Sequence, residues 1–217
     1  MVLDKLCDIS EVRPYLFLSG FGCITEKVAF MVLDKLCDIS EVRPYLFLSG
    51  FGCITEKKLR AHGITHIIDA TNLPNNPRYR GIEVMEIFVD DSLIADLTPH
   101  FPLAAQFVRD SQKQGGKVLI HCAAGISRSA ALCIICLVLN EGRSLREAYY
   151  DVLEKRPFIS PNIAFWRQMI DFERKEHGTS TVALLRGMAR PIPDVYVRKQ
   201  AKVAADARSG KILSNFC

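Results

Sequence analysis

A single α/β domain, with a central and mostly parallel sheet flanked by helices, is the fold that this 217-residue chain predicts. Three observations carry that expectation. Short β-branched runs alternate with segments of helical period, and glycines, prolines and capping residues fall at the joints between them. One apolar run, Lys117–Ile120, also leads through a nine-residue stretch, His121–Ser129, into a second apolar run, Ala130–Leu139. The first run is short and β-branched, as a buried strand is, and the second is long enough for a helix.

The remaining elements follow in order. Ile39 to Gly50 reads as two short strands around Arg43-Pro44. Thr55 to His62 reads as a helix closed by Gly63, Ile64 to Asp69 as a buried strand, and Thr71 to Arg80 as an Asn- and Pro-rich loop. A strand over Glu83–Val89 and a helix over Pro99–Gln114, stopped by Gly115-Gly116, come next. Ser144 and Glu147 form a capping box for a helix to Lys155. Ser160 with Pro161 is expected to cap a last helix that carries Trp166, a core residue, to about His177.

Residues 1–27 recur word for word at 31–57. A solenoid repeat would diverge and recur several times, so this is a single duplication and not a repeat architecture. Only the second copy continues into Lys58 and the helix, and it is the copy expected inside the fold. The chain therefore divides into a duplicated segment 1–30 outside the core, a domain 31–177 and a basic tail 178–217. That tail holds seven Lys/Arg against two Asp/Glu, a surplus of five within a net charge of +4, so the rest is near neutral. No aromatic residues interleave those charges in a pattern that suggests stacking on bases, which argues against nucleic acid as a partner.

Four of the eight cysteines belong to the duplicated block. Cys133 and Cys136 share one helix face with no second ligand pair, so they read as core residues and no metal site is expected. The longest apolar run, Ala130–Leu139, is too short to span a bilayer, and the N-terminus does not read as a signal peptide.

The stretch His121-Cys122-Ala123-Ala124-Gly125-Ile126-Ser127-Arg128-Ser129 carries the chemistry. Cysteine, five residues, then arginine is a spacing that wraps backbone around one phosphate. A loop between strand and helix N-terminus offers unpaired N–H groups and the positive end of a helix dipole. That setting favours the Cys122 thiolate as a nucleophile. Arg128 can hold two phosphate oxygens in a bidentate fork and neutralise transition-state charge.

The stretch resembles the His-Cys-x5-Arg-Ser/Thr signature of the cysteine-dependent protein tyrosine phosphatases, and its surroundings resemble the small, atypical dual-specificity phosphatases. The resemblance runs from about Cys37 to Gly178, and Pro191-Ile192-Pro193-Asp194-Val195-Tyr196 resembles the tail of one atypical subgroup. It implies a phosphotyrosine-phosphatase-like fold and a cysteinyl-phosphate intermediate, with no cofactor. It also implies a phosphate cradle over Ala123, Ala124, Gly125, Ile126, Ser127 and Arg128, with His121 supporting the cysteine. Ser129 would help the thiolate leave, and Asn162, in Pro161-Asn162, would help hold the loop. The proton donor maps to Glu86-Ile87-Phe88-Val89-Asp90-Asp91-Ser92, with Asp91 as the choice and Asp90 as the fallback.

These features point to a protein phosphatase acting on phosphotyrosine and phosphoserine or phosphothreonine. Its expected partners are phosphorylated proteins, MAP kinases among them, although no separate docking module for such a kinase is recognised. Two rivals stand beside it: a phosphatase for an RNA 5′-end or lipid phosphate, and a catalytically silent phosphoprotein-binding scaffold. The loop interior carries no lysine to meet extra phosphates, which counts against lipid, and the silent reading conflicts with the presence of both cysteine and acid. A working free thiolate implies a reducing, intracellular location, cytoplasmic or nuclear.

Overall fold

The computed structural model describes residues 38–185 and 191–197. Five strands form one sheet: β1 (Ser40–Arg43), β2 (Leu46–Gly50), β3 (His66–Asp69), β4 (Glu83–Glu86) and β5 (Val118–Cys122), in the spatial order β1-β2-β5-β3-β4. β1 and β2 make an antiparallel hairpin across Arg43-Pro44, and every other pairing is parallel. The expected α/β fold, with a central and mostly parallel sheet, is what the chain forms.

Alternation along the strands splits the core in two. Leu46, Leu48, Ile68, Val118, Ile120 and Cys122 face the larger cluster, whereas Phe47, Ile67 and Leu119 face the smaller one. The smaller face is covered by α1 (Glu56–His62), which Thr55 caps from its hydroxyl and Gly63 ends at φ +69. The larger face is covered by α2 (His100–Lys113), α3 (Arg128–Glu141), α4 (Leu145–Lys155) and α5 (Ile163–His177). Every residue of α3 from Arg128 to Val138 is buried, so this helix is apolar all round and sits at the centre of the helical layer.

Two readings need correction. The strand expected over Glu83–Val89 ends at Glu86, and Phe88 beyond it points into solvent. The cap of α5 is Asn162, not Ser160: its Oδ1 accepts from the N–H groups of Ala164 and Phe165. The Ser160 N–H instead donates to the Ile126 carbonyl at 2.9 Å. The Ser144–Glu147 capping box is present, and Trp166 is fully buried.

Packing also continues past His177, where the sequence places the start of a tail. Gly178 ends α5, and β6 (Leu184–Leu185) then pairs antiparallel with β7 (Ile192–Pro193). Val182 and Val195 are buried in the main core. Tyr196 packs edge-on against Trp166 and accepts its indole N–H at 2.8 Å. The first copy of the repeat, Cys217 and all seven basic residues of the tail lie outside the described residues.

The buried Glu173 ties this C-terminal return to the helices. Its carboxylate accepts from the N–H groups of Leu145 and Thr181, each at 2.7 Å, and from the hydroxyls of Ser180 and Thr181. Those bonds favour the ionised form and hold the carboxyl below its ordinary range, against the opposing effect of burial. Removing the carboxylate leaves the Leu145 and Thr181 donors unsatisfied. Glu173→Ala is therefore expected to lower unfolding stability by about 2–4 kcal/mol, read as a lower urea midpoint; an unchanged midpoint would contradict this account.

Candidate active site

β5 ends at Cys122 and α3 starts at Arg128, at the carboxyl edge of the sheet where open α/β folds present their ligand crevice. The loop between them leans on the end of β2. A Cβ at Gly125, which takes φ +70, would stand 2.4 Å from the Ser49 carbonyl carbon, and one at Gly50 would stand 2.9 Å from that of Ala124. Neither approach admits a side chain, so both positions require glycine.

Each carbonyl of the loop is bonded to the protein behind it. Phe51 N–H reaches the Ala123 carbonyl, Ser160 N–H that of Ile126, and Ala131 N–H that of Ser127. The Arg156 guanidinium takes the remaining two, from Nη2 to Ala124 and from Nε to Gly125 at 2.8 Å. N–H and C=O of one planar peptide point in opposite directions. The N–H groups of residues 124–128 are thus turned away from that backing, toward the mouth of the loop. The Gly125 N–H lies 3.2 Å from Cys122 Sγ, and the Ser129 hydroxyl donates to the same sulfur at 3.1 Å.

Arg128 is held from the opposite rim. Its Nη1 donates to the Thr71 carbonyl at 2.8 Å and to the Val89 carbonyl at 3.2 Å. Its Nε has no acceptor among the described residues and lies 4.0 Å from Asp91 Oδ2. The acidic pair divides cleanly. Asp91 turns to the loop, where its Oδ1 accepts from the Ser127 hydroxyl at 2.8 Å and from Asn162 Nδ2 at 2.6 Å. Asp90 turns to solvent and accepts from Asn72. Asn162 also donates its backbone N–H to Ser127 Oγ at 3.0 Å, so one residue joins the helix cap, the loop and Asp91.

His121 occupies the face of β5 opposite Cys122. It is buried, its ring lies near that of Phe51, and its Nε2 is 3.8 Å from Asp69 Oδ1. The structure therefore does not bring this imidazole against the sulfur. It instead flanks Asp69, whose Oδ1 accepts from the Thr71 N–H and hydroxyl, and Thr71 in turn gives its carbonyl to Arg128. Burial lowers the His121 pKa from 6.5 to about 4, with Asp69 opposing, so the ring is neutral at pH 7.

Two residues of this arrangement escape sequence reading. Asp69 left a local signal, an aspartate at a strand end with threonine two residues on, which is an Asx-turn pattern. Arg156 left none, because an arginine at a helix C-terminus ordinarily reads as a solvated cation favouring the dipole. It is instead fully buried, and it also bonds the Asp38 carbonyl and the Ser40 hydroxyl. Cys133 and Cys136 lie in the core, and burial pushes the Cys136 thiol up to about 12. Among the described residues no His, Cys, Asp and Glu cluster could hold a metal ion, and no helix is long and apolar enough to cross a membrane.

Residues 46–175 match the family described as the dual specificity phosphatase catalytic domain. The chain is 39% identical to dual specificity protein phosphatase 14 of Homo sapiens over 141 residues, covering 65% of this chain and 71% of that protein. It is 35% identical to dual specificity protein phosphatase 18 of Homo sapiens, covering 75% of that protein. Among solved structures, human DUSP28 superposes with a TM-score of 0.61 at 29% identity, over 64% of this chain and 94% of that one. The human tyrosine phosphatase-like serine/threonine/tyrosine-interacting protein superposes with a TM-score of 0.60 at 33% identity, over 64% of this chain and 97% of that one.

Arg156→Lys keeps a charge but loses the planar fork that reaches two loop carbonyls at once. It is expected to raise the inhibition constant of inorganic phosphate about tenfold, the equivalent of one charge-assisted hydrogen bond, and an unchanged constant would deny Arg156 its hold on the loop. His121 has a pH signature. Between pH 6.5 and 4 the unfolded chain binds a proton that the folded one refuses, so stability falls as pH falls through that window. The loss reaches on the order of 3 kcal/mol near pH 4. His121→Gln, which cannot titrate, should flatten this decline in melting temperature; parallel slopes for the two proteins would argue against it.

Proposed function

The chain belongs to the dual specificity phosphatase family, and from that premise we propose a role for each residue around the loop. The reaction is hydrolysis of phosphotyrosine and of phosphoserine or phosphothreonine in proteins, through a cysteinyl-phosphate intermediate. In our reading the inward N–H groups of residues 124–128 and the Arg128 guanidinium hold the three non-bridging oxygens of the phosphoryl group. The Cys122 thiolate attacks phosphorus in line with the ester oxygen. The P–O bond breaks as the S–P bond forms, and the Asp91 carboxyl gives its proton to the departing oxygen. Asp91, now a carboxylate, takes a proton from water as that water attacks phosphorus. The S–P bond breaks, inorganic phosphate forms, and the Ser129 hydroxyl stabilises the returning thiolate.

The observation that carries this division of labour is the contrast within the acidic pair. Asp91 is tied to Ser127 and Asn162 beside Arg128, whereas Asp90 bonds Asn72 at the surface. Asn162 positions Asp91 and does not touch the phosphoryl group. His121 acts at one remove, through the backbone of Cys122 and through Asp69 and Thr71, which keep Arg128 seated. The uncharged interior of the loop favours phosphoproteins over polyphosphorylated lipids, and MAP kinases fall within that substrate class. The location in this reading is intracellular, where Cys122 stays reduced.

Turnover of an aryl phosphate is expected to vanish in Cys122→Ser, with residual activity below about one part in a thousand. Asp91→Ala should slow esters of poor leaving groups by about 100-fold or more and those of good leaving groups by less than about tenfold, since only the former need the proton. Asp90→Ala should leave both within about twofold. The reverse pattern between the two aspartates would move the acid by one residue.

A further inference from the structure

Among the described residues six large apolar side chains are exposed, and four of them lie on the two loops that rim the phosphate loop. Leu73 (42% exposed) and Phe88 (64%) line an open cleft of about 520 Å³ together with Pro74 and the Arg78–Glu86 ion pair. Leu93 (68%) and Ile94 (96%) follow the acid on its own loop. Scattered exposed apolar residues need no explanation, but clustering beside a cleft marks a contact surface.

The two loops that carry these side chains also carry the atoms that hold Arg128. The carbonyls of Thr71 and Val89 both seat Arg128, and Leu73 and Phe88 stand two residues and one residue away from them. Leu93 and Ile94 stand two and three residues beyond Asp91, which faces the same arginine. A phosphoresidue held in the loop places its chain neighbours about 3.3–3.6 Å apart per residue, so those one to three positions away fall over these two loops. The charges of the cleft itself, Arg78 and Glu86, are already paired at 2.8 Å, and the exposed charge that lies between Phe88 and Leu93 in the chain is acidic, Asp90, bonded to Asn72. Among the described residues that line the cleft an acidic neighbour of the phosphoresidue meets only Arg78, already paired with Glu86, and an apolar neighbour finds four side chains to cover.

From this surface we infer that the rim formed by Leu73, Phe88, Leu93 and Ile94 is a substrate-docking surface, selecting phosphoprotein segments with apolar side chains next to the phosphoresidue. The inference rests on the phosphatase reading above and deepens it. Partial burial of one apolar side chain is worth on the order of tenfold in specificity.

The test uses the full chain and phosphotyrosyl peptides of equal length whose flanking positions are Leu and Phe, Ala, or Glu, beside a small aryl phosphate that reaches the loop alone. kcat/KM is expected to be about tenfold higher for the apolar peptide than for the alanine peptide, and lowest for the acidic one. A Phe88→Ser, Leu93→Ser double variant, altered only at exposed positions, should level the three peptides while keeping aryl phosphate turnover within about twofold. Equal kcat/KM for the three peptides in the wild type, with the aryl phosphate still hydrolysed, would overturn the docking surface and leave the phosphatase reading standing. No hydrolysis of the aryl phosphate by the wild type would remove both. A parallel loss on peptides and aryl phosphate in the double variant would assign these residues to the loops' own structure and overturn the proposal. So would a wild-type dimer in sedimentation that the variant dissociates, since a second copy would then occupy the rim.

Discussion

The backing of five consecutive carbonyls, from Ala123 to Ser127, is the constraint on which the rest of the site depends. A strand–loop–helix junction has no regular hydrogen-bond ladder, so its peptide planes are free to rotate unless something fixes them. Here Phe51, Arg156, Ser160 and Ala131 take those carbonyls from behind. With the carbonyls held, the opposite ends of the same peptide planes are turned to the other side of the loop, where the Gly125 N–H lies 3.2 Å from Cys122 Sγ. Donors fixed in place before an anion arrives need no reorganisation when charge develops, which is what the proposed role of this loop requires.

The donors behind the loop come from places far apart in sequence, which links the site to the whole fold. Phe51 follows β2, Ser160 precedes α5, and Arg156 ends α4 while also bonding Asp38 and Ser40 beside β1. The opposite rim is built the same way: Asp69 at the end of β3 fixes Thr71, and Thr71 together with Val89 fixes Arg128. Asn162 closes the circuit by capping α5 while bonding both Ser127 and Asp91. Loss of packing at β2, β3 or α5 would therefore reach the loop, Arg128 or Asp91 through one or two hydrogen bonds. The C-terminal return adds to this brace, since Tyr196 lies against Trp166 and its hydroxyl sits 3.4 Å from the Pro161 carbonyl.

The same geometry separates two aspartates that the sequence leaves side by side. Beyond the end of β4 at Glu86 the chain bends at Asp91, and of the two aspartates only Asp91 bonds the loop. The choice falls to Asp91 because Ser127 and Asn162 offer it donors, while Asn72, in a left-handed conformation at φ 57, meets Asp90 outside. The resemblance and the hydrogen bonds single out the same aspartate on independent grounds.

The sequence by itself determined the elements, since they rest on local rules. Thr55, Gly63 and the Ser144–Glu147 box stop and start helices by bonding their own neighbours, and the short apolar runs of β2, β3 and β5 mark strands buried on both faces. The cysteine-to-arginine spacing likewise lies within one loop and is visible in a string. Tertiary structure alone decided where Arg156 and Asp69 point, that His121 stands across the strand from Cys122, that Asn162 and not Ser160 caps α5, and that residues beyond His177 join the core. The Arg156 bonds and the packing beyond His177 join segments distant in the chain, and local propensity carries no information about which distant carbonyl a buried side chain will meet. The Asn162 cap is local, but its choice over Ser160 follows from the Ser160 N–H being drawn to the Ile126 carbonyl.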